Sequence, residues 1–181
     1  MFRSRFEMLL PEHLSGDEIL SEGVIHPDPF TQIRPGVSYP IRGCTRYAVE
    51  EQQRIEMFVT LLRGIGNSTG SYTYRLLGDL MFQSHWSYTE CGLGCKETDR
   101  IVELVREEAS AGTPQSALYG AKITGGGAGG TVVVLGSTEA QPAFQRVAAR
   151  YAEEAGINPY IFEGTSPGAD QFGIQILGAS A

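Results

Sequence analysis

A chain of 181 residues with 41% hydrophobic content can bury one sizeable core but is too short for two comfortable domains. Its formal net charge of −7 excludes a non-specific nucleic-acid binder, because neutralising phosphates takes clustered Lys and Arg, and no such cluster occurs. There is no apolar run of the roughly eighteen residues a membrane span needs, and Met1-Phe2-Arg3-Ser4-Arg5-Phe6-Glu7 lacks the apolar stretch of a secretory signal, so the expectation is a soluble cytoplasmic protein.

Residues 1–44 are rich in Pro and polar residues, including Pro11, Pro27, Pro29, Pro35 and Pro40. They read as an irregular segment packed on a domain covering residues 45–181. From Thr45 the pattern turns helical: Ile55, Phe58, Val59 and Leu62 share one face, and Gly64 with Gly66 marks the stop. A second helix is predicted from Ser71 to Tyr88, with Tyr72, Leu76, Leu77, Leu80 and Met81 on one face. A break at Cys91 to Gly94 follows, and then a third helix, Lys96 to Glu108, that buries Ile101, Leu104 and Val105. Cys44, Cys91 and Cys95 are an odd count that suits a reducing compartment. A zinc site at Cys91 and Cys95 would need two further ligands from His13, His26, His85 or Cys44, and the two read as ordinary thiols with no metal.

After the small-residue linker Ala109 to Gln115 the period changes. Residues 117–124 and Thr131 to Leu135 read as strands around a glycine loop. A helix follows, with Ser137 or Thr138 as its N-cap, an apolar stripe of Phe144, Val147, Ala148, Tyr151, Ala152 and Ala155, and Gly156 at its C-terminus. Pro159 to Glu163 and Gln171 to Leu177 read as two further strands joined by a turn. Helices followed by β-β-α-β-β define an α+β class with an antiparallel sheet covered by helices.

Gly125-Gly126-Gly127-Ala128-Gly129-Gly130 satisfies G-x-G-x-x-G only formally. A dinucleotide-binding turn must open a helix, whereas a β-branched run follows here. No Gly-Lys-Ser/Thr follows either, which excludes a Walker A loop. What remains is a strand-loop-strand whose backbone reaches positive φ and lets another group approach. It is either a bulged hairpin turn or a nest of backbone N–H groups facing an anion or a phosphate-binding loop, with Thr124 and Thr131 adding hydroxyls and Lys122 a charge.

The stretch from Tyr119 through Thr124-Gly125-Gly126-Gly127-Ala128-Gly129-Gly130-Thr131 to Val132 resembles the third motif of GHMP kinases, the group that includes galactokinase, homoserine kinase, mevalonate kinase and L-arabinokinase. Cys95-Lys96-Glu97-Thr98-Asp99 is similar to the Cys-Pro-Glu-x-Asp helix start of galactokinases, with Lys in place of Pro. Leu80-Met81-Phe82-Gln83-Ser84-His85 and Arg46 to Arg54 resemble further galactokinase segments. Cys91-Gly92-Leu93-Gly94 and Phe162 to Ala169 resemble L-arabinokinase-like sequences. Many relatives have Ser where Gly94 stands.

The resemblance implies the ferredoxin-like carboxy-terminal domain of an ATP-dependent sugar 1-kinase. It implies ATP and Mg²⁺ as cofactors of the complete enzyme, a small-molecule sugar as substrate, and an amino-terminal kinase domain as partner; a homodimer is compatible with it. Thr124, Gly125, Gly126, Gly127, Ala128, Gly129, Gly130 and Thr131 are then the nucleotide-facing residues, in a loop that lies against the partner domain's phosphate loop. The sequence contains no Pro-x-x-x-Gly-Leu-Ser-Ser-Ser loop, and no catalytic residue or metal ligand is assigned. The chain by itself is expected to lack activity. Asp99 fits a helix first turn, and the adjacent Ser84 and His85 point apart on a helix, which excludes a Ser-His nucleophile. Phe82, Trp86 and Tyr88 read as core or interface residues rather than sugar platforms. A second reading is a stand-alone, non-catalytic binding or regulatory module of the same fold.

Overall fold

In the computed structural model the described residues are 2–23, 28, 30–65, 71–111, 117–164 and 167–174. The chain opens with a short helix α1 (Phe2–Arg5), a 3₁₀ turn, a two-residue strand β1 (Leu14–Ser15), helix α2 (Gly16–Ser21) and strand β2 (Ser38–Tyr39) antiparallel to β1. A capping box starts α2: the Ser15 hydroxyl accepts from the Glu18 N–H, and the Glu18 carboxylate accepts from the Ser15 N–H. The segment is tied to helix α3 (Ile41–Gly64) by ion pairs of Arg3 with Glu50 and Arg46 with Glu7, and by Arg42 donating to the Leu10 carbonyl at 2.6 Å.

Helices α4 (Ser71–Glu90) and α5 (Lys96–Ala111) pack on strand β3 (Leu118–Thr124), which pairs antiparallel with β4 (Thr131–Gly136). α4 buries Leu77, Leu80, Met81, Ser84 and His85, the one-sided spacing of an amphipathic helix. Tyr72 is not part of that face and is 71% exposed, because contact with β3 begins later, where Tyr74 stacks on Tyr119. α5 buries Val102, Leu104 and Val105, with Ile101 partly covered. One core joins Phe82, Val102, Val105, Leu118, Ala121, Ala143, Val147 and Tyr151 across α4, α5, the hairpin and helix α6 (Gln141–Ala155).

The apolar stripe read on α3 is present but not buried. Ile55, Val59 and Leu62 are exposed, and the buried residue of α3 is Arg54. The face turned to α4 is polar, with Arg54 and Glu51 bonded to Ser87 and Ser84, so the stripe lies on the neighbouring face. The start of α6 also differs from expectation. Thr138–Ala140 form a 3₁₀ turn, and Ala140, which has no capping side chain, stands at the N-cap of α6. Gly156 ends α6 in the left-handed conformation at φ 68°.

The helix-covered antiparallel sheet is narrower than β-β-α-β-β. Residues 157–163 form no strand among the described residues; they and β4 line an open groove of about 1360 Å³, to which Val132, Val134, Phe144 and Phe162 also contribute. A strand needs a hydrogen-bonded neighbour, and among the described residues this segment has none. Ala169–Phe172 forms the one-turn helix α7 rather than a strand; Gly173 and Ile174 follow without regular structure, and Gln175 to Leu177, the end of that predicted strand, lie outside the described residues. Among the described residues no helix is long and apolar enough to cross a membrane.

Gly78 of α4 faces Gly120 of β3, and a Cβ on Gly78 would run into the Tyr119 carbonyl. Gly78→Ala and Gly120→Ala are each expected to cost about 2–3 kcal/mol, since the obstruction is backbone rather than a movable side chain. Urea unfolding of each variant measures it.

Candidate functional site

The hairpin register pairs Thr124 with Thr131, Ile123 with Val132 and Lys122 with Val133, so the six residues 125–130 form its loop. Gly125, Gly127, Gly129 and Gly130 have φ of 84°, 87°, 121° and 102°, and Ala128 joins them at 59°. So many left-handed positions in one loop need glycine. The loop has two unlike faces. At Gly125, Gly126 and Gly130 an added Cβ would meet nothing within 4 Å, so bare backbone is open to an approaching group. At Gly127 a Cβ would lie 2.7 Å from the Leu93 carbonyl oxygen and 3.0 Å from the Tyr88 ring.

That second face rests on the turn joining α4 to α5. The Ala128 N–H donates to the Leu93 carbonyl at 2.7 Å, and the Tyr88 hydroxyl donates to the Gly125 carbonyl at 3.2 Å. The turn has its own close fit: Gly94 leaves room for the Thr89 side chain, into which a Cβ would collide. Cys95 immediately precedes α5, its carbonyl accepting from the Asp99 N–H at 2.9 Å. A serine in place of Gly94 would thus crowd Thr89.

Two polar groups lie behind the loop. In one, Glu51 accepts from Ser84 (2.5 Å), Arg54 (2.6 Å) and Lys122 (3.3 Å), while Lys122 also donates to Ser84 at 2.7 Å. Lys122 therefore spends its charge on α3 and α4 instead of serving the loop. Hydrogen bonds from Ser84 and Arg54, with the Lys122 charge, hold the Glu51 carboxyl below its ordinary range against the opposing effect of burial. Tyr47, beside it, is pushed up to about 12, first by burial and then by Glu51.

The other group is His85, fully buried on α4. Its Nδ1 accepts the Ile123 N–H at 3.2 Å, one residue before Thr124. Its Nε2 lies 3.1 Å from Asp99 Oδ1, an electrostatic contact without the alignment of a full hydrogen bond. Asp99 Oδ1 also accepts from the Thr89 hydroxyl at 3.1 Å. Ser84 and His85 thus turn to different partners, and Asp99 has a specific one besides its place in the first turn of α5. Phe82 is core, Tyr88 holds the loop, and Trp86 lies edge-on to the His85 ring at 5.0 Å. Sequence spacing brought none of Thr89, Asp99 and His85 together.

Cys91 Sγ donates to the Ser87 carbonyl at 3.2 Å, Cys44 Sγ donates to the Cys91 carbonyl at 3.9 Å, and Cys95 Sγ lies 3.3 Å from the Thr98 hydroxyl. Among the described residues no three His, Cys, Asp or Glu side chains converge as a metal site.

Helices packed over an antiparallel hairpin whose glycine loop is seated on the turn between two of them define a recognisable domain. Residues 72–153 match the family described as "GHMP kinases C terminal", so this part of the chain carries that family's carboxy-terminal domain. It is 38% identical over 176 residues to an L-arabinokinase of Arabidopsis thaliana, covering 95% of this chain and 17% of that protein. It is 31% identical over 100 residues to a galactokinase of Thermotoga maritima, covering 55% of this chain and 25% of that protein. A galactokinase of Streptomyces lividans is 29% identical over 142 residues, 75% of this chain and 32% of its own length. The chain thus spans between 17% and 32% of the length of these relatives.

The two faces of the loop separate its glycines experimentally. Gly127→Ala should cost about 2 kcal/mol or more, from the left-handed φ and the Leu93 contact. Gly126→Ala, outside the left-handed region and in open space, should stay within about 0.5 kcal/mol of the parent. Thermal unfolding distinguishes them.

Burial holds the His85 pKa below its ordinary value, reinforced by Lys122 on β3 and opposed by Asp99 and Glu103 on α5. The unfolded chain takes up a proton near pH 6.5 that the folded chain resists. Stability from this group is present above about pH 6.5 and falls as the pH drops toward the lowered folded pKa. The depressed carboxyls Glu50 and Glu51 add their losses only below about pH 4.3. Between pH 7 and 5 the unfolding free energy should therefore fall, and His85→Asn should flatten that slope in chemical unfolding at stepped pH.

Proposed function

We propose that the chain is the carboxy-terminal half of an ATP-dependent sugar 1-kinase, acting on galactose, L-arabinose or a related sugar. The loop Thr124–Thr131 closes on the nucleotide phosphates held by an amino-terminal kinase domain. The observation that carries this reading is the open backbone at Gly125, Gly126 and Gly130, with left-handed φ at the first and last. An anion or another domain's phosphate loop can approach such a surface without meeting a side chain. Thr124 and Thr131 are both exposed at the two ends of the loop and add hydroxyls there.

Phosphoryl transfer rests on positioning and on charge neutralisation. This chain supplies positioning: Tyr88 and Leu93 fix one face of the loop while the other excludes water from the phosphates. Mg²⁺ supplies charge neutralisation when bound. Residues 124–131 contain no carboxylate, so the loop itself would offer Mg²⁺ no carboxylate ligand.

The exposed stripe on α3 favours this reading over a stand-alone binding module. Ile55, Val59 and Leu62, at 51%, 36% and 45% exposure, form the kind of apolar face that packs against another domain. An independent module would present a polar surface there.

The test is a coupled ADP-release assay with galactose and with L-arabinose. The chain alone should give no turnover above background, and joining it to the amino-terminal domain of a relative should create activity. In that complete enzyme Gly129→Val, whose Cβ would have only the Cys95 sulfur within 4 Å, at 3.9 Å, and whose φ of 121° strains any side chain, should lower kcat on the order of a hundredfold. Turnover proportional to the concentration of this chain alone, surviving repurification, would overturn the reading. Wild-type kcat in the Gly129→Val enzyme would leave the loop as a turn only.

A further inference from the structure

β3 has a partner strand on one edge only. β4 takes one side, and among the described residues no strand pairs with the other, where α4 packs so closely that Gly78 meets Gly120. A backbone N–H on that second edge has no ladder partner, and Ile123 is buried at 2% exposure. An unmet buried N–H costs about 1–3 kcal/mol. The imidazole of His85 meets it, and the place is informative: Ile123 is the last buried residue before the glycine loop.

We infer that His85 is a positioning residue that fixes the root of the loop and couples it to the start of α5. The chemistry sets its tautomer. A backbone amide can only donate, so Nδ1 must be unprotonated and the proton must sit on Nε2, which faces Asp99. Asp99 is held in turn by Thr89, the residue that Gly94 accommodates in the turn beneath Ala128. The loop is therefore held from two directions by one connected set of residues. Ile123 is tied through His85 to Asp99 and Thr89, and Ala128 is tied through Leu93 to the turn that packs on Thr89. A shift of α5 or of the imidazole moves the root of the loop. The consequence for turnover rests on the proposed kinase reading; the geometry does not.

Three measurements test this. In the wild-type chain, imidazole ¹⁵N shifts should show the Nε2–H tautomer at neutral pH; a proton on Nδ1 would overturn the inference whatever the variants do. His85→Asn places an amide near the position of Nδ1, and His85→Gln places one near that of Nε2. Amide hydrogen exchange at Ile123 and Ala128 should stay close to wild type in the Asn variant and speed by about tenfold or more in the Gln variant, with Leu77 and Val105 still protected. Unchanged exchange at Ile123 in the Gln variant, or equal loosening across Leu77 and Val105, would reduce His85 to ordinary core packing. In the complete enzyme the Gln variant should lose on the order of ten- to a hundredfold in kcat with little change in the sugar KM. Loosened exchange with wild-type kcat would leave the positioning role standing and refute the phosphoryl-transfer reading of the loop.

Discussion

The meeting of two glycines, Gly78 on α4 and Gly120 on β3, brings a helix backbone against a strand backbone with no side chain between them. Much of the rest follows from that closeness. It buries the outer edge of β3, which creates the demand for an acceptor that His85 fills at Ile123. It also brings Lys122 within reach of Ser84 and Glu51, so α3, α4 and β3 share one polar network beside the core. With β3 fixed, the hairpin register delivers the glycine loop onto the turn between α4 and α5.

Features set by local spacing were legible in the sequence. The helical period marks α4 and α5, the β-branched run Thr131 to Leu135 marks β4, and the five glycines mark the loop. Features set by distant partners were not. Arg54 is buried because Ser87, 33 residues away, and the neighbouring Glu50 and Glu51 satisfy it, and no pattern within α3 announces that. His85, Thr89 and Asp99 are spaced for nothing in particular until α4 and α5 fold back on each other. The run Pro159 to Glu163 has strand-like residues, but strand formation is a property of a pair, and these residues lie across a groove from β4.

The same distinction holds within the loop. Glycine content shows that the backbone is unusual but not why each glycine is there. Gly127 admits the domain's own Leu93 and Tyr88, whereas Gly125, Gly126 and Gly130 leave a surface open to something else. A single motif thus mixes positions that serve folding with positions available for function. Ala128 shows how tightly the path is set, because it accepts a left-handed φ and uses its N–H to fasten the loop.

The unpaired side of β4 has a different consequence. Among the described residues no strand covers it, and Thr131-Val132-Val133-Val134-Leu135 combines high β-propensity with no charge and no proline. Such a segment on an open edge can template pairing with another chain. The net charge of −7 repels copies of the protein at low ionic strength, and that repulsion weakens as salt shortens the Debye length. Concentrated protein in high salt is therefore where edge-to-edge self-association should set in.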